Sequence, residues 1–233
     1  MSYNKNMNKH RTDVFPYIKG YSEAFALKDY DDGRIILVDT GARRKLHVYK
    51  ILKKHNIPVE KISLIVITHA HSDHTGALNL LIEATGAPVL CHENTAECLI
   101  SNHSEIVKPI SASAKLLIIF SKKNNSILDE PVNPDFTFKE SFSLKRFGVN
   151  ARIIHTPGHT PGSVSVVTDD GQALTGDLLM RFPPRSVQLP IVADNKEQIR
   201  ESIMKLLNLN VHTFYLSHGG KIPAEKVRNK FYQ

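Results

Sequence analysis

Three histidines and one aspartate are crowded into a single short stretch, "THAHSDHTG", which supplies His69, His71, Asp73 and His74. The stretch follows directly on the apolar run "ISLIVI". Protonated imidazoles this close together would repel one another, and neutral ones at the end of a buried strand would still need polar partners. A metal ion meets both needs, because imidazole nitrogens and carboxylate oxygens are common metal ligands. The crowding therefore indicates a metal site.

Three further metal-capable residues each follow another apolar segment. His159 comes after "ARIIHTPG", Asp177 after "QALTG" and His218 after "TFYLS". In an α/β protein, the loops beyond the strand ends are held rigidly by the strands, so they are the usual place for a site. We therefore expect four loops to converge at one edge of the fold.

The complete set contains five imidazoles and two carboxylates, and it contains no thiolate. Such donors suit zinc, iron, manganese or nickel. Seven ligands are too many for one tetrahedral ion, but they suit two divalent cations that share a ligand and each keep an open position. In that arrangement a bridging hydroxide is a nucleophile at neutral pH. The pattern thus predicts a dinuclear hydrolytic centre.

Alternating strand-like and helix-like segments, separated by short turn signals, must position these residues. The sequence has no internal repeat or low-complexity tract. The economical interpretation is a single layered α/β domain that covers residues 1–233. Within it, we expect residues 1–11 to be flexible and residues 102–135 to form a lid or cover rather than core.

The first half of the chain begins with two segments, "AFALKD" and "RIILVD", that flank the Asp-Gly turn signal of "YDDG". They predict antiparallel strands. Residues 42–55 have apolar side chains at helical spacing, and "ISLIVI" is typical of a strand buried on both faces. A helix is expected from about Thr75 to Ala84. Farther on, "SASAKLLIIFSKK" is predicted to be helical and "NNSILDEPVNPD" to be a loop.

The second half is predicted to be mainly sheet, with strands in "FTFKE", "SLKRF", "VNARIIH", "SVSVVT", "QALTG" and "TFYLS". One helix interrupts this series, with Asp194 as its predicted N-cap and Glu197 three residues later. Its apolar side chains recur at helical spacing and predict one buried face, which consists of Ile199, Ile203, Leu206 and Leu207.

The overall composition is that of a globular protein, with 41% apolar and 23% charged residues. No window reaches the roughly 18 consecutive apolar residues of a membrane span, so no membrane partner is expected. The basic N-terminus lacks the apolar region of a secretory signal, and Cys91 and Cys98 are best interpreted as reduced thiols. Both features favour a cytoplasmic location. The net charge of +7 makes anionic partners plausible, but the basic residues are spread along the chain, and nucleic acid is not the expected partner.

Five motifs in this order, "ILVDTG", "THAHSDHTG", "HTPGHTPGS", "LTGD" and "SHGG", resemble those of the metallo-β-lactamase superfamily in its dinuclear form. The resemblance covers nearly the whole chain and implies the four-layer αββα sandwich of that family. It implies that one metal ion is held by His69, His71 and His159. It assigns the second ion to Asp73, His74 and His218, and it makes Asp177 the bridging ligand. Asp39 in "VDTG" would support the metal loops by hydrogen bonding.

The resemblance also narrows the expected reaction. Asp177 stands where some true β-lactamases of the family have a cysteine, and His71 stands where the oxygen-reducing di-iron branch has a glutamate. Only 15 residues follow His218, which leaves no room for the glutathione-binding helices of glyoxalase II. We therefore expect a hydroxide that bridges two divalent cations to attack the carbonyl of a small ester, thioester or lactone, with Asp73 taking part in catalysis. Zinc fits the ligands best, and iron or manganese is also compatible.

Other interpretations stay open at this stage. A phosphodiesterase or ribonuclease, a β-lactamase-type amide hydrolase and a noncatalytic metal-stabilised scaffold are the alternatives. Arg181 and Arg185 are predicted to contact a carboxylate on a small, anionic substrate. The apolar "AKLLIIF" would serve a homodimer as well as a lid. The remaining histidines considered are interpreted as structural or surface residues, namely His47, His92, His103, His155 and His212.

Overall fold

The computed structural model describes residues 11–29, 33–42, 48–110, 126–182 and 186–231. Several of the sequence predictions lie outside these residues. They are the flexibility of residues 1–10, the helix in "SASAKLLIIFSKK" with the proposed dimer or lid segment inside it, the substrate contact of Arg185 and the assignment of His47.

The described strands are short, and their bounds are Thr12–Ile18 (β1), Ala24–Asp29 (β2), Ile35–Val38 (β3), Ile62–Val66 (β4), Val89–His92 (β5), Lys108–Pro109 (β6), Phe136–Phe138 (β7), Ser141–Ser143 (β8), Ala151–His155 (β9), Val164–Thr168 (β10), Gln172–Leu174 (β11), Met180–Phe182 (β12), Ser186–Gln188 (β13), Val192–Ala193 (β14), Thr213–Leu216 (β15) and Gly220–Pro223 (β16). The described α-helices are Val48–Lys54 (α1), Ser72–Thr75 (α2), Leu78–Thr85 (α3), Glu93–Ser101 (α4), Lys196–Leu207 (α5) and Ala224–Phe231 (α6). Most of the strands belong to two larger sheets.

Each of the two larger sheets contains six described strands. The first has the order β1-β2-β3-β4-β5-β7, and the second has the order β16-β15-β11-β10-β9-β8. In the first sheet, β1, β2 and β3 pair antiparallel, and the pairs from β3 through β4 and β5 to β7 are parallel. In the second sheet only β11 and β15 pair parallel. The predicted antiparallel pair β2 and β3 is confirmed.

The two sheets pack face to face, and helices cover their outer faces. On β3, Ile36 and Val38 point into a core shared with the second sheet, whereas Ile35 and Leu37 point into a core shared with α1, α3 and α4. This alternation follows from the two-residue period of a strand. The second sheet packs its outer face against α5 and α6. The predicted four-layer αββα sandwich, an α/β fold, is confirmed.

The buried face predicted for α5 is confirmed, but its cap lies one residue later than expected. Asn195, rather than Asp194, is the N-cap, and its side chain accepts hydrogen bonds from the backbone N–H groups of Glu197 and Gln198. The backbone N–H of Asp194 instead donates to the carbonyl of His159 at 2.9 Å. The residue before the N-cap therefore hydrogen-bonds to the His159 loop, and the helix begins after it.

The helix predicted from Thr75 to Ala84 is divided into α2 and α3. The side chain of Thr40 accepts a hydrogen bond from the backbone N–H of Ala77 at 3.2 Å, so this N–H group does not continue the first helix. The interruption places α2 directly at the end of β4. The two helices together cover the predicted range but do not form one rod.

The strand predicted in "SLKRF" is wrong except at its first residue, Ser143. Only Ser141–Ser143 pairs with β9, and Lys145–Phe147 forms a 3-10 helix. Gly148 ends this turn with a φ of 87°, a left-handed conformation that glycine adopts without strain. The chain must turn back here because β8 and β9 are antiparallel neighbours.

The prediction that residues 102–135 would not form core is wrong for the part that follows residue 125. Ile127, Leu128 and Val132 are buried in the core between the first sheet and its helices. The side chain of Asn102, at the end of α4, accepts hydrogen bonds from the backbone N–H groups of Ile127 and Leu128. The segment is thereby anchored against that helix.

Two expectations about the whole chain can be compared with the described residues. No helix in these parts of the chain is both long enough and apolar enough to cross a membrane. Cys91 on β5 and Cys98 on α4 are free thiols, as predicted.

Candidate metal centre

All seven residues of the predicted ligand set come together at one edge of the two sheets. His69, His71, Asp73 and His74 follow β4 of the first sheet, and the other three follow β9, β11 and β15 of the second. Their ligand atoms form two groups, and the atoms of each group lie within 4.8 Å of one another. The first group is His69, His71, His159 and Asp177, and the second is Asp73, His74 and His218. The predicted convergence of four loops is thus what the structure shows.

The first group has the spacing that a tetrahedral ion requires. The Nδ1 atom of His71 lies 3.1 Å from Nε2 of His69 and 3.1 Å from Nε2 of His159. Nitrogen ligands at 2.0–2.1 Å from a tetrahedral zinc ion are separated by about 3.3 Å. The Oδ2 atom of Asp177 lies 3.9 Å from Nε2 of His69 and 3.6 Å from Nε2 of His159. Three imidazoles and one carboxylate oxygen therefore surround one point.

Asp177 also reaches the second group. Its Oδ1 atom lies 3.2 Å from Nε2 of His74, and its Oδ2 atom lies 3.5 Å from Nε2 of His218. The Oδ2 atom of Asp73 completes this group at 3.1 Å from Nε2 of His218 and 3.7 Å from Nε2 of His74. Asp177 is thus the residue that lies between the two groups, where a bridging ligand is expected.

The five histidines use their other ring nitrogen to contact the protein. The partners are Thr68 Oγ1 for His69, the Glu105 carbonyl for His71, Asp39 Oδ2 for His74, the Val192 carbonyl for His159 and the Tyr21 carbonyl for His218, at 2.7 to 3.3 Å. A carbonyl or carboxylate only accepts, so the contacting nitrogen carries the hydrogen. In the neutral form of each ring, the nitrogen that faces the centre then has a free lone pair, as a metal ligand requires.

Two buried polar atoms of the centre test whether a cation fits. Among the described residues, Nε2 of His74 and Oδ1 of Asp177 are fully buried and lie 3.2 Å apart, and neither atom makes a well-aligned hydrogen bond. Such atoms are costly to bury unless something compensates them. Both are inward-facing nitrogen or oxygen atoms of the kind that bind divalent cations. The residues present therefore fit a metal centre.

The protonation of the two groups differs in the metal-free protein. Burial lowers the pKa of His69 well below its usual value, and neighbouring imidazoles lower it further. Burial also lowers the pKa of His159 to about 4. For His218 burial acts in the same direction, but the carboxylates of Asp177 and Asp73 overcome it and raise the pKa to about 10. The imidazoles of the first group are therefore neutral at pH 7, whereas those of His74 and His218 in the second group are protonated until a metal ion displaces the proton.

Asp39 lies where the sequence predicted a supporting residue. It is buried and has a φ of 62°, an uncommon conformation for a residue other than glycine. Its carboxylate accepts hydrogen bonds from the backbone N–H of Thr68 at 2.8 Å and from Nδ1 of His74 at 2.7 Å. The hydroxyl of Thr68 also lies 2.8 Å from Asp39 and 3.1 Å from Nδ1 of His69. One carboxylate thus contacts a ligand of each group, directly or through Thr68.

Glu105 is a residue of the site that the sequence did not reveal. Its side chain is buried and accepts hydrogen bonds from the backbone N–H of Ala70 at 2.7 Å and of Gly162 at 3.0 Å. Ala70 lies between His69 and His71, so Glu105 joins their loop to the loop of His159. A Cβ atom on Gly162 would clash with Oγ1 of Thr95 and would lie 2.7 Å from Oε1 of Glu105, so only glycine fits between these two side chains.

Of the two arginines predicted to contact substrate, only Arg181 lies among the described residues. The backbone N–H of Arg181 donates to the carbonyl of His218 at 2.7 Å, which places Arg181 beside the second group. Burial raises the pKa of Glu23, and the positive charges of Lys19 and Arg181 oppose that rise. Arg181 is therefore close enough to Glu23 for their charges to interact. A substrate contact of Arg181 stays a prediction, and Arg185 lies outside the described residues.

The other described histidines lie outside both groups, in agreement with their interpretation as structural or surface residues. His92 and His155 stack on each other with ring centroids 4.1 Å apart. His212 contacts the carbonyl of Asp170, and His103 contacts the carbonyl of Ser101. Their contacts with the local backbone account for their places in the fold.

Comparison with known proteins points to one family. The profile of the metallo-beta-lactamase superfamily matches residues 20–218. The "Probable metallo-hydrolase YqgX" of Bacillus subtilis is 30% identical over 209 residues, which cover 86% of this chain and 88% of that protein.

Solved structures share this fold. The archaeal metallo-beta-lactamase superfamily protein ST1585 from Sulfolobus tokodaii superposes with a TM-score of 0.63 at 20% identity, covering 96% of this chain and 86% of that one. The protein TTHA1623, solved in a di-iron-bound form, superposes with a TM-score of 0.63 at 24% identity, covering 94% of this chain and 98% of that one.

Proposed function

Because the chain belongs to the metallo-beta-lactamase superfamily of metal-dependent hydrolases, we propose that it hydrolyses a small ester, thioester or lactone at this centre. One observation carries the proposal. Seven side chains from four loops bring their ligand atoms into two groups with Asp177 between them, an arrangement that suits two divalent cations and a hydroxide nucleophile.

In this proposal the first cation would be held by His69, His71 and His159, and the second by Asp73, His74 and His218. Asp177, which lies between the two groups, would be shared by both cations. When bound, the two divalent cations would supply a hydroxide nucleophile at neutral pH and polarise the substrate carbonyl. The hydrogen bonds to the outer ring nitrogens keep the histidines oriented, and burial keeps the imidazoles of the first cation neutral.

Asp73 is the proposed catalytic carboxylate. Its side chain is 22% exposed, whereas that of Asp177 is 5% exposed, so Asp73 is the carboxylate of the centre that meets incoming substrate and water. Burial would raise the pKa of Asp73, but His74 and His218 lower it below its usual value. With Oδ2 in the second ligand group, the other oxygen of this ionised carboxylate can orient a water molecule and accept its proton.

We propose zinc as the metal, since a set of five imidazoles and two carboxylates suits it well. The di-iron form of TTHA1623 keeps iron as the main competitor. We also propose a reducing, cytoplasmic location, which the free thiols of Cys91 and Cys98 support. The substrate would be a small molecule, and neither nucleic acid nor a membrane is required by the proposed chemistry.

The test compares metal-stripped protein, metal-loaded protein and the Asp73→Asn variant on four generic substrates: a thioester, a lactone, a β-lactam and bis-nitrophenyl phosphate. We expect turnover of the thioester or lactone by metal-loaded protein and its loss in the other two preparations. Asp169→Asn is the matched control, because Asp169 is an exposed residue that pairs with Lys145. Turnover of the phosphodiester or the β-lactam alone would replace the proposed substrate class.

A further inference from the structure

A groove next to the metal centre has no part in the chemistry described above. Its volume is about 410 Å³, within the range of small-molecule sites. It lies between the connection from β1 to β2 and the helix α1. Its lining includes Ile18, Lys19 and Tyr21 on one side and Ile51, Lys54 and His55 on the other.

The groove meets the metal centre at Tyr21. The ring of Tyr21 lies edge-on to that of His218, with centroids 4.8 Å apart, and its carbonyl accepts the hydrogen bond from Nδ1 of His218 at 2.7 Å. The next residue, Ser22, donates a hydrogen bond from its hydroxyl to the carbonyl of Asp73 at 2.6 Å. The loop is thus tied to two residues of the second group. A substrate bound there can extend past Tyr21 into the groove.

Tyr21 itself has the exposure of a contact residue. Its side chain is 70% exposed although its backbone is held against the metal centre. A large, exposed aromatic side chain on an anchored backbone offers apolar contact area with little loss of conformational entropy on binding. The ring therefore forms a wall between the reaction centre and the groove.

The groove combines apolar walls with positive charge. Ile18 and Ile51 contribute apolar surface, and Lys19 and Lys54 contribute two ammonium groups. Burial lowers the pKa of His55, and the charges of Lys54 and Lys19 lower it further, so both charges act on the same region. Among its described lining residues the groove has no aspartate or glutamate. Glu23, the acidic group near Lys19, lies outside the lining and also faces Arg181.

We propose that this groove binds the acyl chain of the substrate, and that this chain is apolar along its length and ends in a carboxylate. The apolar part contacts Ile18 and Ile51, and the terminal carboxylate lies near Lys19 and Lys54. The inference rests on the proposed function, because it assigns the groove to the substrate of the same centre. It makes the enzyme selective for acidic acyl groups.

The experiment compares two aryl esters that differ only at the far end of the acyl chain, phenyl hexanoate and the phenyl monoester of adipic acid. The measured quantity is the ratio of kcat/KM for the adipate ester to kcat/KM for the hexanoate ester. We expect the metal-loaded protein to favour the adipate ester and the double variant Lys19→Gln, Lys54→Gln to lower the ratio by about tenfold. Lys53→Gln is the control, since Lys53 neighbours Lys54 on α1 but does not line the groove.

A ratio near one for the wild type, or a ratio that the double variant leaves unchanged, would overturn the inference while leaving the hydrolase intact. If neither ester is hydrolysed, the proposed function is in question. A binding measurement then tests whether the groove prefers an acidic acyl chain. For that purpose calorimetry measures the affinities of the two analogous ketones, in which CH2 replaces the ester oxygen. Tighter binding of the acidic ketone, lost in the double variant, supports the groove, and equal binding of both ketones rejects it.

Discussion

Replacing Glu105 is the sharpest perturbation that the structure offers outside the ligands. Its carboxylate accepts hydrogen bonds from the backbone N–H groups of Ala70 and Gly162, and all of these groups are buried. In Glu105→Ala both N–H groups lose their acceptor. An unsatisfied buried donor costs about 1–3 kcal/mol, so we expect the free energy of unfolding to fall by about 2–6 kcal/mol. In Glu105→Gln one side-chain oxygen remains to accept, and we expect about half that loss.

The assay is urea unfolding of the metal-free proteins, which separates this effect from the stability that bound metal adds. The second quantity to measure is the metal affinity, because Ala70, which donates to Glu105, lies between the ligands His69 and His71. If Glu105 holds their loop in place, the affinity of the first cation should fall by about 10–100-fold, as for other groups that orient metal ligands. Equilibrium dialysis against cobalt measures that affinity.

The matched control is Glu97→Ala, which removes an exposed glutamate from α4 and should change stability by less than about 0.5 kcal/mol. The reasoning is refuted if Glu105→Ala is as stable as this control. It is also refuted if Glu105→Ala is destabilised but binds the first cation with unchanged affinity. That second outcome would limit Glu105 to a structural role.

Three further predictions follow from the site and its surroundings. Asp39→Asn should lower the affinity for the second cation by about 10–100-fold in equilibrium dialysis, because the carboxylate that orients His74 is lost. An unchanged affinity would show that Asp39 does not orient this ligand. Metal loading at pH 7.5 should release about three protons per chain. His74 and His218 each supply one, because carboxylates raise the pKa of His74 well above its usual value and that of His218 to about 10, and the water that becomes the hydroxide supplies the third. Calorimetry in buffers of different ionisation enthalpy measures this release, and a result near one would contradict the assigned protonation. Burial raises the pKa of Cys98 to about 11, so its alkylation rate should rise about tenfold per pH unit from pH 8 to 10, and a plateau near pH 8.5 would show an ordinary thiol.

The placement of the seven centre residues could be predicted because each lies just beyond an apolar strand. His69, His71, Asp73 and His74 share one loop, so their proximity is local. The alternation of Ile35 to Val38 between two cores likewise follows from a strand's two-residue period. Short-range patterns of this kind can be read from one sequence.

The groups that hold the ligands could not be predicted, because their contacts join distant parts of the chain. Glu105 lies 34 residues from His71, and Tyr21 lies 197 residues from His218. Both use a backbone carbonyl for these contacts, and a carbonyl has no sequence signature. The misplaced N-cap of α5 has a similar origin, because the pairing of Asp194 with the His159 loop is a tertiary contact.

The proposed hydrolysis requires two cations at this centre. The most direct test is a titration of metal-free protein with zinc in which bound metal per chain and turnover of the preferred ester or thioester are measured on the same samples. We expect that binding saturates at about two equivalents and that turnover rises with the second. Binding that saturates at one equivalent with full activity, or turnover that is the same without metal, would contradict this expectation.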